Sequence, residues 1–269
     1  MELEVLVATM GQKDLSLHER MNLRQNAVIA NQCGSWGYEK KTESYGTIRM
    51  LSTATRGVGI NRNLALQLSK ADILLFADDD IVYYDSDLQP VIDAFEQLPD
   101  ADVIFFGIDM TKDGEIFDRR RHSTGRLHLW NSLRYGACRM AVRRESVIRK
   151  QLSFSTLFGG GCMYCSGEDT IFIRDCLKAG LHLYSYDYVL GACAKDSSTW
   201  FTGYDNKYFF DRGAMLACAF PKGKHLLKPY YAMKLHRKSG TPVKAILKLM
   251  NAGDQAFASL TPYSDQAQN

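Results

Sequence analysis

Ile73-Leu74-Leu75-Phe76-Ala77 is a continuous apolar run of strand length, and it ends on three consecutive acids, Asp78-Asp79-Asp80. A strand that is apolar on both faces belongs in the middle of a parallel sheet with helices on either side. Working outward, Leu3-Glu4-Val5-Leu6-Val7-Ala8-Thr9 reads as an opening strand and Ala27-Val28-Ile29-Ala30-Asn31 as a second. Residues 47–51 and 103–108 read as further strands. Between them, residues 19–25 have helical character, and residues 61–68 place apolar side chains at helical spacing behind Asn61, a candidate N-cap. Residues 86–98 read as another helix. Short strands alternating with helices predict an α/β fold with ligands at the carboxyl ends of the strands.

The second half is less regular. A basic stretch (Arg119-Arg120-Arg121, then Arg126) precedes a glycine-rich piece, Phe158-Gly159-Gly160-Gly161. Ser166-Gly167-Glu168-Asp169 then leads into a predicted helix over 170–179, closed by Gly180, and a strand over 181–189. Pro221 marks a change of composition. Residues 242–250 read as a short amphipathic helix. We therefore divide the chain into a domain over 1–220 and a basic extension over 221–269.

The composition is that of an ordinary globular protein: 269 residues, 46% hydrophobic and 23% charged. Those values exclude a collagen-like fibre and a coiled coil. The net charge of +3 hides a split, since residues 212–253 hold nine basic residues and no Asp or Glu. The remainder has 24 basic against 30 acidic residues, a net of −6. Seven scattered cysteines favour reduced thiols over a disulfide framework, and Cys162-x-x-Cys165 lacks a second pair for zinc. Met1-Glu2-Leu3-Glu4 has no basic leader region, and no apolar run approaches the roughly 18 residues of a spanning helix. A cytoplasmic protein is expected.

Three acids in a row at a strand end repel one another unless a cation or solvent relieves them. Alternate side chains let Asp78 and Asp80 converge on one hard divalent ion, although a solvated turn also accounts for the triplet. Arg56-Gly57-Val58-Gly59-Ile60-Asn61-Arg62-Asn63 fails the dinucleotide pattern, because Arg62 stands where the third glycine is required. Two arginines beside glycines at a helix start suit a phosphate-bearing ligand. Glu168-Asp169 at a helix start satisfies the helix dipole and also offers a general base. Ser197-Ser198-Thr199-Trp200-Phe201-Thr202-Gly203-Tyr204 puts aromatics beside hydroxyls, as in carbohydrate sites and also in ordinary cores.

In this order the motifs resemble the family 2 glycosyltransferases, across roughly residues 1–221. The resemblance rests on Val5–Thr9, Arg56-Gly57 with Arg62-Asn63, Ala71–Asp80 and Ser166-Gly167-Glu168-Asp169. Phe158–Gly161 and Ser197–Trp200 are similar to the bacterial branch that builds surface polysaccharides, such as capsule or lipopolysaccharide. The resemblance implies a GT-A, Rossmann-like fold with a mixed, mostly parallel sheet flanked by helices, here followed by a basic helical tail. It implies an inverting, nucleotide-sugar-dependent enzyme using Mn2+ or Mg2+, with a UDP-sugar as the expected donor. Asp80 and Asp78 match the metal-binding aspartates. Thr9, Asn31, Gln32, Arg56, Arg62, Asp78 and Asp79 fall at donor-binding positions, with Arg62 near the diphosphate. Asp169, beside Glu168, matches the catalytic base, while Trp200 and Tyr204 are candidates for the acceptor side.

Two other enzyme classes use paired aspartates. Asp78-x-Asp80-x-Val82 fits the nucleophile motif of a haloacid-dehalogenase-type phosphatase, and a nucleotidyltransferase also handles nucleotide-sugar phosphates. A non-catalytic glycan- or nucleotide-binding module would keep the aromatics without needing both Asp80 and Asp169. In the tail, Leu226, Leu227, Tyr230, Tyr231, Met233, Leu235, Ile246 and Leu247 interleave with the cations. That pattern favours an anionic membrane surface over nucleic acid for residues 221–250, with a peripheral location and a glycan or lipid-linked acceptor. A solvated helix packed on the domain is the plainer alternative.

Overall fold

The computed structural model describes residues 1–120, 123–194 and 203–263. The first half runs β1 (Leu3–Met10), α1 (Leu17–Arg20), β2 (Asn26–Gln32), β3 (Gly37–Glu43), β4 (Gly46–Thr53), α2 (Val58–Leu68), β5 (Ile73–Asp78), β6 (Ile81–Tyr83) and α3 (Gln89–Gln97). It continues with β7 (Val103–Lys112), β8 (Glu115–Arg120), β9 (Gly125–Leu127), α4 (Leu129–Ser132), β10 (Met140–Arg143), α5 (Arg144–Arg149), α6 (Glu168–Lys178) and β11 (Leu183–Ala194). Three helices follow, α7 (Asn206–Ala219), α8 (Lys224–Ser239) and α9 (Val243–Ser259).

Among the described residues the strands form one sheet in the order β3-β4-β2-β1-β5-β10-β7-β11-β6, with β8 on β7 and β9 on β11. β1 pairs in parallel with both β2 and β5, and β2 with β4. The four-residue β10 is antiparallel to its two neighbours, with Ala141 opposite Leu75 on one side and Ile104 on the other. The register sets the functional end of the sheet. Thr9 lies opposite Asn31, and Ala8 opposite Asp78, so the polar ends of β1, β2 and β5 meet at one edge.

Alternation along the buried strands sorts their side chains onto two faces. Val5, Val7, Ile29 and Leu75 pack with Leu17, Met21, Val91 and Phe95. Leu6, Val28, Leu74 and Phe76 face the other way, against α2 and α6 through Ala65, Leu66, Phe172 and Ile173. Covering both faces explains why these strands read as unbroken apolar runs.

A third core joins Phe158, Tyr164 and Ile171 to Phe209, Phe210, Met215 and Leu216 of α7, Ala232 and Leu235 of α8, and Ile246, Leu249 and Met250 of α9. α7 and α9 cross at glycines. A Cβ on Gly213 would stand 2.0 Å from the Met250 carbonyl oxygen, and one on Gly253 would stand 1.9 Å from that of Phe210. The segment beyond Pro221 is thus two helices, one of which is packed directly against α7. α9 also continues to Ser259, past the predicted end at 250.

Several local expectations are corrected. The helix expected over 19–25 is a single turn, because Asn22 takes a left-handed conformation (φ 52°) and its amide donates to the Tyr83 carbonyl. α2 begins at Val58 with Gly57 as its N-cap, so Asn61 lies inside the helix rather than capping it. The basic stretch around Arg119 and Arg126 is the polar strands β8 and β9, and β11 extends beyond 189 to Ala194.

Candidate functional site

The site is assembled from the ends of three strands and the starts of two helices. α2 follows β4 and lies across the sheet, fixed by the Asn61 amide. Asn61 Nδ2 donates to the Thr9 carbonyl (3.0 Å) and to the Ala30 carbonyl (2.8 Å), tying the helix to the last turns of β1 and β2. The next residue, Arg62, is only 4% exposed and turns its guanidinium toward the end of β5. A buried cation needs partners, and it has three.

Arg62 Nη2 donates to Asp78 Oδ1 at 2.9 Å, while Nη1 reaches Asp169 Oδ1 at 3.0 Å and Glu168 Oε1 at 3.4 Å. The Phe154 ring lies beneath, its centroid 5.3 Å from the guanidinium carbon. Phe154 is itself stacked on Phe172 of α6 at 4.1 Å. The planar fork of arginine suits several carboxylates at once, which a lysine ammonium would not. One positive charge is thereby shared among three carboxylates.

α6 presents two of those carboxylates from its first turn, where the helix dipole favours negative charge. Its N-cap, Gly167, has φ +122°, and a Cβ there would fall 2.4 Å from Met215 Cγ of α7. Both the backbone angle and the space require glycine. Gly167 N–H also donates to Glu168 Oε2 at 3.1 Å. Asp169 lies against Gly136, and it accepts a bond from the Ala137 backbone.

Burial pushes the Asp169 carboxyl above its ordinary value, Arg62 pulls it back, and the charge of Asp78 adds to the rise. Glu168 is also pushed up, first by burial and then by Asp169. Against burial, the three carboxylates hold Arg62 firmly protonated. The arrangement therefore keeps an oriented carboxylate with raised proton affinity at the sheet's ligand edge, which suits proton abstraction from a hydroxyl.

The aspartates after β5 divide their work. Asp78 gives one oxygen to Arg62, while Asp79, exposed as a residue, has its carboxyl turned to accept from Thr9 Oγ1. Thr9 Oγ1 also accepts from Gln12 Nε2 at 3.2 Å. Partial desolvation pushes the Asp79 carboxyl up, Thr9 works against that, and the charges of Asp80 and Asp78 add to the rise. Such mutual crowding is what a cation relieves. All three donors are hard carboxylate oxygens, the chemistry of Mg2+ or Mn2+ rather than of a soft metal. Among the described residues, no group of three or more His, Cys, Asp or Glu side chains is placed to hold a metal by itself. The site fits an ion held by two carboxylates and completed by a ligand phosphate and water.

The other predicted residues take distinct places. Asn31 is fully buried: its Oδ1 accepts from Gln12 N, and its Nδ2 donates to the Gln12 carbonyl and to Ser52 Oγ. Gln32 Nε2 donates to the Gly57 carbonyl at 2.7 Å, and its Oε1 accepts from Gly57 N at 3.2 Å. Both side chains spend their polar atoms holding the loops after β1 and β4. Arg56 is exposed at the start of α2, and among the described residues no carboxylate pairs with it. Tyr204 stacks edge-on against Tyr208 of α7 at 5.2 Å and packs on the third core. Trp200 lies outside the described residues. Sequence reasoning missed Phe154, Gly136 and Ala137, which carry no motif and matter only through what they touch.

The sequence profile described as glycosyl transferase family 2 matches residues 28–163, just over half of the chain, spanning Arg62 and Asp78–Asp80 and ending before Glu168. No curated protein matches. Among solved structures, the chain is similar to S. aureus TarS 1–349 in complex with UDP-GlcNAc, with a TM-score of 0.61 and 11% identity over 98% of this chain and 93% of that one. It is likewise similar to TarS 1–349 in complex with UDP, with a TM-score of 0.56 at 11% identity and the same coverage. These likenesses establish the GT-A fold expected from the sequence. With the profile match lying across the strands and helix that bring Arg62 to Asp78, the chain belongs to glycosyl transferase family 2.

Proposed function

We propose that this glycosyltransferase is an inverting enzyme that moves a sugar from a nucleotide-sugar donor to a hydroxyl of a glycan or lipid-linked acceptor, in bacterial surface-polysaccharide synthesis. The observation that carries the reading is the meeting of Asp78, Glu168 and Asp169 on the buried Arg62, at the carboxyl edge of a sheet belonging to this family. A UDP-sugar is the donor class, supported by the likeness to a fold solved with UDP-GlcNAc and with UDP. Family membership sets aside the phosphatase and nucleotidyltransferase readings of the aspartates.

In this reading Asp169 accepts the proton of the acceptor hydroxyl. The hydroxyl oxygen forms a bond to the anomeric carbon as the bond from that carbon to the nucleotide diphosphate breaks, inverting the configuration. Arg62 positions Asp169 and keeps Glu168 beside it. Arg56, exposed beside the start of α2, is the cation that faces the charge of the departing diphosphate. Asp80 and Asp78 are the residues that would hold Mn2+ or Mg2+, and that ion would supply Lewis-acid neutralisation of the leaving diphosphate. Thr9 fixes Asp79, while Asn31 and Gln32 shape the nucleotide end by holding its loops.

The test is a thermal-shift screen of nucleotide-sugars with and without Mn2+, followed by donor hydrolysis in the wild type and Asp169→Asn. Donor stabilisation that grows with Mn2+, with turnover lost in the variant by about 10²–10⁴-fold and donor binding kept, supports the proposal. Near wild-type turnover in Asp169→Asn removes Asp169 from the role of base, and a protein that binds donor without any turnover is a binding module.

A further inference from the structure

The nine cations between residues 212 and 253 do not act alike. Lys224 Nζ and Lys228 Nζ both point into the protein and grip Asp254 of α9, at 2.6 and 2.8 Å, and Lys228 also donates to Asn251 Oδ1. Against burial, these two lysines hold the Asp254 carboxyl below its ordinary value. Arg212 is occupied by Tyr208 of its own helix. By contrast, Lys222, Lys234, Arg237 and Lys238 are exposed, and among the described residues no carboxylate pairs with them.

The same split runs around α8. Its buried side carries Lys228, Ala232 and Leu235. The opposite side carries Leu226, Tyr230 and Met233, at spacings of four and three, and these are 83%, 55% and 53% exposed. Pro229 is exposed beside them. At 100° per residue, Leu226, Met233, Tyr230 and Arg237 fall within one narrow stripe down the centre of the exposed face. Lys234 and Lys238 flank the stripe on one side, and His225 and His236 on the other. α8 contains no acidic residue.

A helix whose inner face is already satisfied by the protein gains nothing structural from an outward ridge of leucine, tyrosine and methionine. Side chains this exposed stand out from the surface rather than line a groove, so they fit a partner that yields around them. An apolar ridge edged with cations and free of carboxylates has the chemistry of an interfacial helix on a negatively charged bilayer. We infer that α8 is the membrane-docking element of this protein: Leu226, Tyr230 and Met233 enter the headgroup boundary of an anionic leaflet, and Lys234, Arg237 and Lys238 engage its phosphates. Lysine and arginine stems are long enough to lie along the apolar boundary while their charges stay at headgroup level. The docking rests on α8 alone and is independent of which sugar or acceptor the site uses.

Co-sedimentation of the full chain with phosphatidylcholine vesicles, with and without 30% phosphatidylglycerol, tests the inference. Binding to the anionic vesicles is expected, weakened by raised salt. Lys234→Gln/Arg237→Gln/Lys238→Gln together should lower the partition by about a hundredfold, from roughly fivefold per cation removed. Leu226→Ser/Tyr230→Ser/Met233→Ser should abolish it while leaving the circular dichroism and metal-dependent donor stabilisation of the wild type intact. Equal sedimentation with neutral vesicles overturns the inference, as does undiminished binding by the serine variant. A wild type that is dimeric by light scattering and ignores vesicles, with a monomeric serine variant, makes this face a contact between copies and also overturns it. Loss of turnover with vesicle binding retained counts against the proposed reaction and leaves the docking standing.

Discussion

Arg62 Nη1 lies 3.0 Å from Asp169 Oδ1 across 107 residues of sequence, and its other terminal nitrogen holds Asp78. That bond is the hinge between the two acidic motifs. Arg62→Lys keeps the charge but reaches fewer acceptors, so Asp169 loses its fixed orientation. Turnover should fall by about 10²-fold, the usual cost of a misplaced catalytic group, with little change in unfolding midpoint. An unchanged turnover would show that Asp169 is held by other contacts.

Arg62→Met removes the cation that Asp78, Glu168 and Asp169 share and should cost about 3–5 kcal/mol at neutral pH. The loss has a pH signature. Without Arg62 the carboxylates take up protons more readily in the folded state than in the unfolded chain, so stability lost near pH 7 returns as the pH is lowered toward their raised values. Urea titrations at pH 7 and pH 5 check this: a deficit independent of pH would place the damage in packing instead.

The raised proton affinity of Asp169 predicts an acid limb in the pH–rate profile above the ordinary aspartate range of about 3.9, with activity lost as pH falls through it. Asp78→Asn removes the neighbouring negative charge that adds to this rise, so the limb should move to lower pH. A limb that stays in place would separate Asp78 from the titration of the base.

Gly213→Ala and Gly253→Ala replace helix-interior glycines, a change that gains about 1 kcal/mol from propensity alone. Here each new methyl would meet a carbonyl oxygen of the facing helix at about 2 Å, so α7 and α9 must separate. Each variant should lose at least ~2 kcal/mol in chemical denaturation. Stabilisation of either one would mean that the helices have slack at their crossing.

Asp254→Asn leaves Lys228 buried beside a neutral amide and should cost about 3 kcal/mol. In the wild type the folded-state carboxyl is depressed, so its contribution is present above the unfolded aspartate value and fades as pH falls through the folded one. The variant and the wild type should therefore converge in stability at acid pH, which melting curves between pH 3 and 7 would reveal.

Much of the sheet was legible, because β1, β2, β5 and β7 are buried on both faces and carry apolar runs through their middles. β3, Gly37–Glu43, was not: it is an exposed edge strand whose side chains carry charge and offer no hydrophobic period. β10 is only four residues long and is defined by what lies on either side of it. α8 was obscured by Pro229 inside the helix and by apolar residues on its exposed as well as its buried side, which blur the helical period. In the site, Asp78 stood out as the first of three acids crowded at the end of a buried strand. Glu168-Asp169 stood out as an acid pair after glycines at a helix start, a place that also suits a cap. Arg62 stood out as well, as an arginine among glycines that suits an anionic ligand, and only the fold reveals its bonds to the protein's own carboxylates. Asn61 was read as a cap for the same reason: its position near a helix start was visible, and its carbonyl partners on β1 and β2 were not.

The contact between Gly167 and Met215 also makes the site depend on helices that come much later in the chain. The turn that presents Glu168 and Asp169 is shaped by a side chain of α7, and α7 is seated by the glycine crossing with α9. Arg62 and Asp78 leave the ribosome long before Met250 and Gly253 do. α9, far along the chain from the sheet's ligand edge, thus completes the support for the turn that delivers the two carboxylates.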